Sequence, residues 1–224
     1  MSDETTILRF RHLLERHTLA VDMLRVVNDI LQAKGMMMRT GTVVEATLMS
    51  APSSTKNAEG ERDPEMKPTR KGNNWYFGMK AHIGVDDRSG LVHTVVGTAA
   101  NVNDLNVAGE LLHGDEEAAF GDAGYQGVHK RPEAGGPTWH VAMRPGKRRK
   151  LNPFIKPEFV AERVEKMKAS IRAKVEHPFR VIKRQFGFTK VRYRGLMKNT
   201  AQLVTLFALS NLWMARRQLM GARG

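Results

Sequence analysis

Three β-type runs lie close together in this chain, and the segments between them restrict how they can pair. Thr42–Met49 (TVVEATLM) carries Val43, Val44 and Thr47, β-branched residues that favour an extended backbone. Trp75–Val85 (WYFGMKAHIGV) and Leu91–Ala99 (LVHTVVGTA) follow, separated by Asp86-Asp87-Arg88-Ser89-Gly90. Aspartate, serine and glycine there predict a turn, so these two runs should form a hairpin. A short helix is expected over 103–112, with Asn103 as its N-cap, and then a short buried strand at Ala118–Asp122 (AAFGD). Neighbouring antiparallel strands followed by a strand after a crossover helix predict a mixed sheet with helices on its faces.

The rest of the chain fits around that sheet. Residues 5–34 carry leucine, isoleucine and valine at three-to-four-residue spacing before Gly35, which predicts one or two amphipathic helices. Residues 51–74 are polar, with prolines and glycines between charges, and read as a long loop. Trp139–Met143 reads as another short strand, followed by the basic loop 144–150. From Glu158 onward the pattern is helical, with a break at 187–195 and a closing helix over 199–219. The fold class expected is α/β, with the strand order of a ribonuclease H-like mixed sheet flanked by helices. The domains expected are an N-terminal helical region over 1–40 and the sheet domain over 41–219.

Charge narrows the partners. Thirty-six lysines and arginines against 23 acidic residues give a formal charge of +13, which suits a polyanion, nucleic acid before an anionic membrane. Cysteine is absent, which excludes disulfides, thiolate zinc sites and cysteine nucleophiles. The opening MSDETTILRF lacks an apolar signal core, and the apolar stretch from Leu203 is cut short by arginines. The expectation is a cytoplasmic protein with no membrane partner. Neither GxxxxGK[ST] nor a strand-following GxGxxG is present, so ATP-driven chemistry is not indicated.

Four carboxylates stand where chemistry could use them: Glu45 inside the first strand, Asp86 at the end of the second, Asp122 at the end of the fourth, and Glu176 on the late helix. Each also has an ordinary reading. Glu45 could face water, Asp122 could cap the glycine-rich turn that follows, Asp86 suits a turn, and Glu176 suits a solvated helix face. If the first and fourth strands are neighbours, Glu45 and Asp122 share an edge that the helix can approach with Glu176. Carboxylates without thiols suit Mg²⁺ or Mn²⁺. Two such ions about 4 Å apart could activate an attacking hydroxyl and stabilise a leaving oxygen.

Arg172, Glu176, Arg180 and Lys183 are spaced four, four and three residues apart, one narrow helical arc. Basic residues around an acid would either offset its charge or hold a phosphate beside it. Pro178 predicts a kink near Glu176 and His177. Two further basic groups, Lys147-Arg148-Arg149-Lys150 and Lys190, Arg192, Arg194 and Lys198, could be solvated surface or DNA contacts. Trp75, Tyr76 and Phe77 read as core residues, with base stacking as the alternative.

The phrases VVEATLMSAPSSTKN, GNNWYFGMKAHIGVDDRSGLVHTV, TAANVNDL and FGDAGYQG, and above all the run from IRAKVEHPFR to NLWMARR, resemble DDE transposases of the insertion-sequence-five group. The likeness runs over nearly the whole chain from about residue 5. It implies a ribonuclease H-like catalytic domain that cuts double-stranded DNA at the terminal inverted repeats of a mobile element and joins them to target DNA. It also implies a homo-oligomer when two ends are brought together. By motif, Glu45, Asp122 and Glu176 fall on the metal-binding triad, with two Mg²⁺ or Mn²⁺ ions, and Arg172 and Lys183 fall on the basic partners of the glutamate. Two departures follow. The family places aspartate where this chain has Glu45, and its members have a longer helical region ahead of the first catalytic strand, so residues 1–40 are expected to be a remnant of it. Weakened cutting with DNA binding retained, or hydrolysis without joining, are the alternatives this leaves open.

Overall fold

The structure is a computed structural model that describes residues 3–56, 58 and 60–221. Helix α1 (Glu4–Arg16) begins where the Asp3 carboxylate accepts a hydrogen bond from the Thr6 amide at 2.6 Å, satisfying one of the free donors of the first turn. Helix α2 (Leu19–Ala33) ends at Gly35, whose φ of +68° is the left-handed conformation that lets glycine close a helix. The apolar face of α2 is buried: Ala20 and Leu24 pack with Val204 and Ala208, and Leu31 with Ala215, all on the last helix, α6 (Leu196–Gly221).

The sheet has six strands: β1 (Gly41–Ser50), β2 (Lys67–Lys71), β3 (Asn74–Asp86), β4 (Val92–Ala99), β5 (Ala118–Gly121) and β6 (Thr138–Val141). β1 lies between β3, antiparallel from Thr42↔Asp86 to Ser50↔Gly78, and β5, parallel from Gly41↔Ala118 to Val43↔Phe120. β4 pairs antiparallel with the second half of β3, and β6 runs parallel to β5. The expected mixed sheet is present.

Two local expectations are corrected. The 51–74 stretch expected as a loop contains β2, which pairs with the first half of β3 from Lys67↔Gly78 to Lys71↔Asn74. β2 is a strand with almost no apolar alternation. Its backbone ladder and the buried Met66 just before it hold it in place, and neither leaves a period-two signal. The helix expected over 103–112 is two 3₁₀ turns, Asp104–Val107 and Gly109–Leu111, although Asn103 caps the first by accepting from the Leu105 amide at 3.1 Å. A Cβ at Gly109 would lie 2.1 Å from the Glu133 carbonyl oxygen. The chain is therefore pressed so close to its neighbour at that point that only glycine fits.

The last third begins with a short turn, α3 (Pro145–Arg148), and continues through α4 (Lys156–Arg172), a 3₁₀ turn at Ala173–Val175, α5 (Glu176–Arg180) and a π turn at Val181–Gln185. The kink expected from Pro178 takes this form. Proline removes a backbone donor and clashes with the carbonyl four residues back, so the helix changes its winding on either side.

One sheet face is covered by these helices through Val43, Ile83, Phe120, Val175, Phe179, Leu203 and Phe207. The other is covered by the 3₁₀ turns through Val44, Val107, Leu111, Tyr125 and Val128. Among the described residues no helix is long and apolar enough to cross a membrane.

Two buried asparagines on α6 fasten loops and strand to it. Asn199 accepts from the Arg192 and Tyr193 amides and donates to the Tyr193 and Gly195 carbonyls. Asn211 accepts from the Val92 amide at 2.8 Å and donates to the Val92 carbonyl at 2.7 Å and to Asn28 at 2.8 Å. It therefore takes the place of a further strand at the edge of β4. Replacing Asn211 by Leu should destabilise the chain by about 2–3 kcal/mol despite the added apolar surface, because two buried backbone groups lose their partners. Urea unfolding of the two proteins checks this; equal midpoints would remove Asn211 from that role.

Candidate active site

Parallel pairing of β1 and β5 decides where the acidic residues meet. The register Val43↔Phe120, continued two steps, sets Glu45 opposite Asp122, immediately past the end of β5. Both fall on the face that carries Val43 and Phe120, because side chains alternate along a strand. Burial raises the Glu45 carboxyl above its ordinary pKa, the Asp122 charge raises it further, and Arg172 works against both. The Arg172 guanidinium reaches Glu45 Oε2 at 3.4 Å. Asp122 has extended backbone and accepts from the Gly124 amide at 2.7 Å. It thus caps the turn as well as flanking Glu45, so the two readings of this residue are compatible.

Thr47 lies two residues beyond Glu45 and faces the same way. Lys183, in the π turn, donates to Thr47 Oγ1 at 2.9 Å. Burial holds its ammonium below the usual lysine range, opposed by the charge of Glu176. Glu176 is exposed at the start of α5, on the side of Lys183. Arg172 Nε and the Tyr125 hydroxyl are buried without hydrogen-bond partners among the described residues.

Glu45, Asp122 and Glu176 do not draw together to the spacing of one ion's ligands. Among the described residues the trio whose donor atoms all lie within 4.8 Å of one another is His93, His113 and Glu116, and these could coordinate a metal ion. That trio does not stand out in the sequence, because its members are scattered along the chain. Thr42 lies beside it, with its hydroxyl 3.0 Å from His93 Nε2 and donating to Glu116 Oε1 at 2.9 Å. Thr42 and Glu45 are three residues apart on β1, so the trio and the acidic pair occupy opposite faces of the sheet.

A second polar group overlooked in the sequence lies beneath the Asp122 turn. Lys80 donates to Asp104 at 2.8 Å and to the Val102 carbonyl at 2.7 Å. His82 is fully buried with Nδ1 3.9 Å from Asp104 and Nε2 2.8 Å from the Thr98 hydroxyl. A Cβ added at Gly124 would sit 2.8 Å from Asp122 Oδ1 and 3.8 Å from Asp104 Oδ2, so the two carboxylates are neighbours across that glycine. Polar residues at alternate positions 80 and 82 of an apolar strand were the available signal.

The remaining candidates divide. Asp86 is a turn clamp: its buried carboxylate accepts from the amides of Met38, Arg39 and Ser89 and from the Ser89 hydroxyl. Arg148 is committed to Glu162 by two hydrogen bonds of 2.9 and 2.8 Å. Lys147, Arg149, Lys150, Arg180, Lys190, Arg192 and Arg194 are exposed. Trp75, expected in the core, is 69% exposed, whereas Phe77 packs against the core. Trp75 lies at the outer end of β3 where only β2 accompanies it.

Residues 37–212 match the family model of the transposase DDE domain. The chain belongs to that family. No solved structure matches it. The DDE domain's matched span begins just ahead of β1 and ends within α6, so it takes in every strand, both carboxylates of the acidic pair and the helices bearing Arg172 and Lys183. Membership supports a nuclease-like catalytic function on DNA.

Burial holds His82 at a pKa of about 4, against the ordinary histidine value of 6.5. The unfolded chain therefore takes up a proton that the folded DDE domain refuses. The contribution is complete above the ordinary value and is lost as pH falls through about 4. His82→Gln should abolish a stability loss on the order of 1–2 kcal/mol between pH 7 and pH 5, measured by urea unfolding at both values. An unchanged pH dependence would show that His82 is not held neutral.

Proposed function

We propose that this DDE-domain protein is a transposase of the insertion-sequence-five group. It cuts DNA at the terminal inverted repeats of an insertion sequence and transfers the ends into target DNA, working in the cytoplasm as a homo-oligomer at synapsis. The domain responsible spans 41–219 with a ribonuclease H-like sheet, and residues 1–40 form its helical N-terminal region. The observation that carries this reading is the pairing of Glu45 with Asp122 across β1 and β5, with Arg172 and Lys183 brought to the same face.

The donor set suits a hard divalent cation. Two neighbouring carboxylates, one of them raised by burial and by the other's charge, are relieved by a cation and have no soft ligand beside them. Glu45, Asp122 and Glu176 would hold Mg²⁺ or Mn²⁺, as two ions, which when bound would supply an activated hydroxyl and charge stabilisation at the leaving oxygen. The chain's own residues do the rest. Arg172, whose Nε has no partner among the described residues, and Lys183 bind the oxygens of the scissile phosphate and hold it over the acidic pair. Each step exchanges one P–O bond for another. An oxygen of water, in cutting, or of a DNA 3′-hydroxyl, in joining, bonds to phosphorus and loses its proton. The bond to the departing oxygen breaks, and that oxygen ends protonated. Lys147, Arg149, Lys150, Arg180, Lys190, Arg192 and Arg194 contact duplex phosphates, while Arg148 shapes the basic turn through Glu162.

A second reading, binding without cutting, is favoured by one observation. Glu45 stands where the family has aspartate, and its longer side chain is drawn into the ion pair with Arg172. Catalytic groups tolerate misplacement of only about 0.5 Å. Incubating wild type, Glu45→Asp and Asp122→Asn with Mn²⁺ and a labelled duplex carrying the terminal repeat separates the two. Wild-type cleavage and joined products, reduced at least roughly 100-fold in Asp122→Asn with DNA binding kept, are expected. Activity confined to Glu45→Asp would establish the second reading, and equal activity in wild type and Asp122→Asn would sink the triad.

Metal binding has its own readout. Mn²⁺ at about 100 times its dissociation constant stabilises by about 2.7 kcal/mol, which should raise the melting temperature of wild type by about 5 °C or more. Asp122→Asn should show no such rise. A shift retained in that variant but abolished in Glu116→Gln would place the ion at the histidine trio instead.

A further inference from the structure

The loop that carries Asp122 continues into a groove of about 700 Å³ that the acidic site does not use. One wall is the turn from Gln126 to Gly135, and the other is formed by Trp139, Val141 and Arg144. Its charge is one-sided: Lys130, Arg131 and Arg144 line it beside His129, and among the described residues no carboxylate does. Arg131 leans towards Glu133 at 3.6 Å and donates to Asn106 at 3.2 Å. Lys130 and Arg144 are exposed and form no ion pair among the described residues.

The groove is tied to the acidic site through its backbone. Gln126 Nε2 donates to the Ala142 carbonyl at 3.2 Å, and the Ala142 amide donates to the Gly121 carbonyl at 3.0 Å, one residue before Asp122. The indole of the groove is fixed as well. Trp139 Nε1 donates to the Ala134 carbonyl at 2.9 Å, and the ring stacks on Tyr125 with centroids 6.3 Å apart. At the far end Arg144 leads directly into the turn that carries Lys147, Arg149 and Lys150.

We infer that this groove, on the Tyr125 face of the sheet, is the path of a single DNA strand that rounds the ends of β5 and β6 from the acidic pair and runs past Lys130 and Arg144 to the basic turn. The inference rests on the DNA-cutting reading proposed above and adds to it the route of one strand and the residues that line it. Cations on a concave wall, a fixed half-buried indole beside them and no acidic lining are the combination that holds a strand's phosphates and stacks a base. A duplex has both strands' phosphates on its outside and meets exposed convex turns such as 147–150 more readily than a walled groove.

The test uses the full chain, a fluorescent single-stranded oligonucleotide and the corresponding duplex, with affinity measured over a salt series. Removing one phosphate-binding cation lowers the slope of log affinity against log salt by about 0.7 for single strands. The double variant Lys130→Ala/Arg144→Ala should flatten the single-strand slope by roughly 1 to 1.5 and weaken binding by about tenfold or more, with the duplex slope nearly unchanged. The charge-preserving variant Lys130→Arg/Arg144→Lys should restore the wild-type slope, which excludes misfolding as the cause. Wild-type slopes in the alanine variant would overturn the groove alone. An effect on duplex equal to that on single strand would overturn the single-strand assignment. Wild type that binds neither oligonucleotide would overturn both this inference and the DNA-cutting reading beneath it.

Discussion

Three residue pairs, Gly41 with Ala118, Thr42 with Ala119 and Val43 with Phe120, join β1 to β5, and this short parallel ladder fixes which side chains share a face at the sheet's centre. A slip of one residue would turn Glu45 and Asp122 to opposite faces, so something must hold the register more firmly than three pairs can. Glu116 does so. It precedes β5, is buried, and accepts from the Thr42 hydroxyl and from the amides of His113 and Gly114. Burial alone would raise its pKa, but these donors outweigh that and hold it below the ordinary glutamate value. Next to it the Glu117 amide donates to the Thr40 carbonyl at 3.0 Å. On the other side of β1 the approach is just as close. A Cβ at Gly41 would come within 2.7 Å of the Asp87 carboxylate, so a larger residue at the start of the strand would push that side chain aside. The histidine trio is thus also the lock on the register that brings the acidic pair together one strand-face away.

Two faces of one sheet carry opposite electrostatic arrangements. On the helix face Glu45 is raised because burial and Asp122 outweigh Arg172. A cation is the simplest relief for such a pair. On the other face Asp104 already has its cation, Lys80, and a neutral buried histidine beside it. The Tyr125 hydroxyl feels both groups. Burial, then the charges of Asp104, Glu45 and Asp122, push its ionisation up, so it remains a neutral phenol able to donate. Charge on the acidic face is only partly offset, while charge one layer away is directly paired. That contrast separates the face suited to chemistry from the face that supports it.

Much of the sheet was legible because its strands obey the period-two rule. β1, β3 and β5 bury runs of apolar side chains, β4 carries half-buried valines beyond the buried Val92, and all are punctuated by Asp, Ser and Gly. β2 was not legible: its residues are exposed or half-exposed on both faces, so neither composition nor periodicity distinguishes it from a loop. The 3₁₀ turns after Asn103 were hidden for a different reason. Their caps and apolar residues are those of a helix, and the close approach of Gly109 to the Glu133 carbonyl, 24 residues further along, is a tertiary contact the local sequence does not announce. At the candidate site Glu45, Asp122, Arg172 and Lys183 stood out as charges in apolar or periodic surroundings. Lys80, His82, Asp104 and the histidine trio did not, because each gains its meaning from a partner on another element.

The late helix shows how a spacing argument can survive an irregular backbone. Arg172 and Lys183 are 11 residues apart, which in a straight α-helix is within about 20° of three full turns and about 16 Å of rise. The helix between them is not straight, since it tightens into a 3₁₀ turn before Glu176 and widens into a π turn after Arg180. Overwinding on one side and underwinding on the other rotate the face in opposite senses, so the two basic residues still meet the same strand. They reach Glu45 and Thr47, whose Cα atoms are only about 7 Å apart in an extended strand. Two side chains that start far apart and end close together must lean inward over the residues between them, and Glu176 is one of those. The compensation of one irregularity by the other therefore leaves this glutamate between two cations along the helix, its charge acting on Lys183.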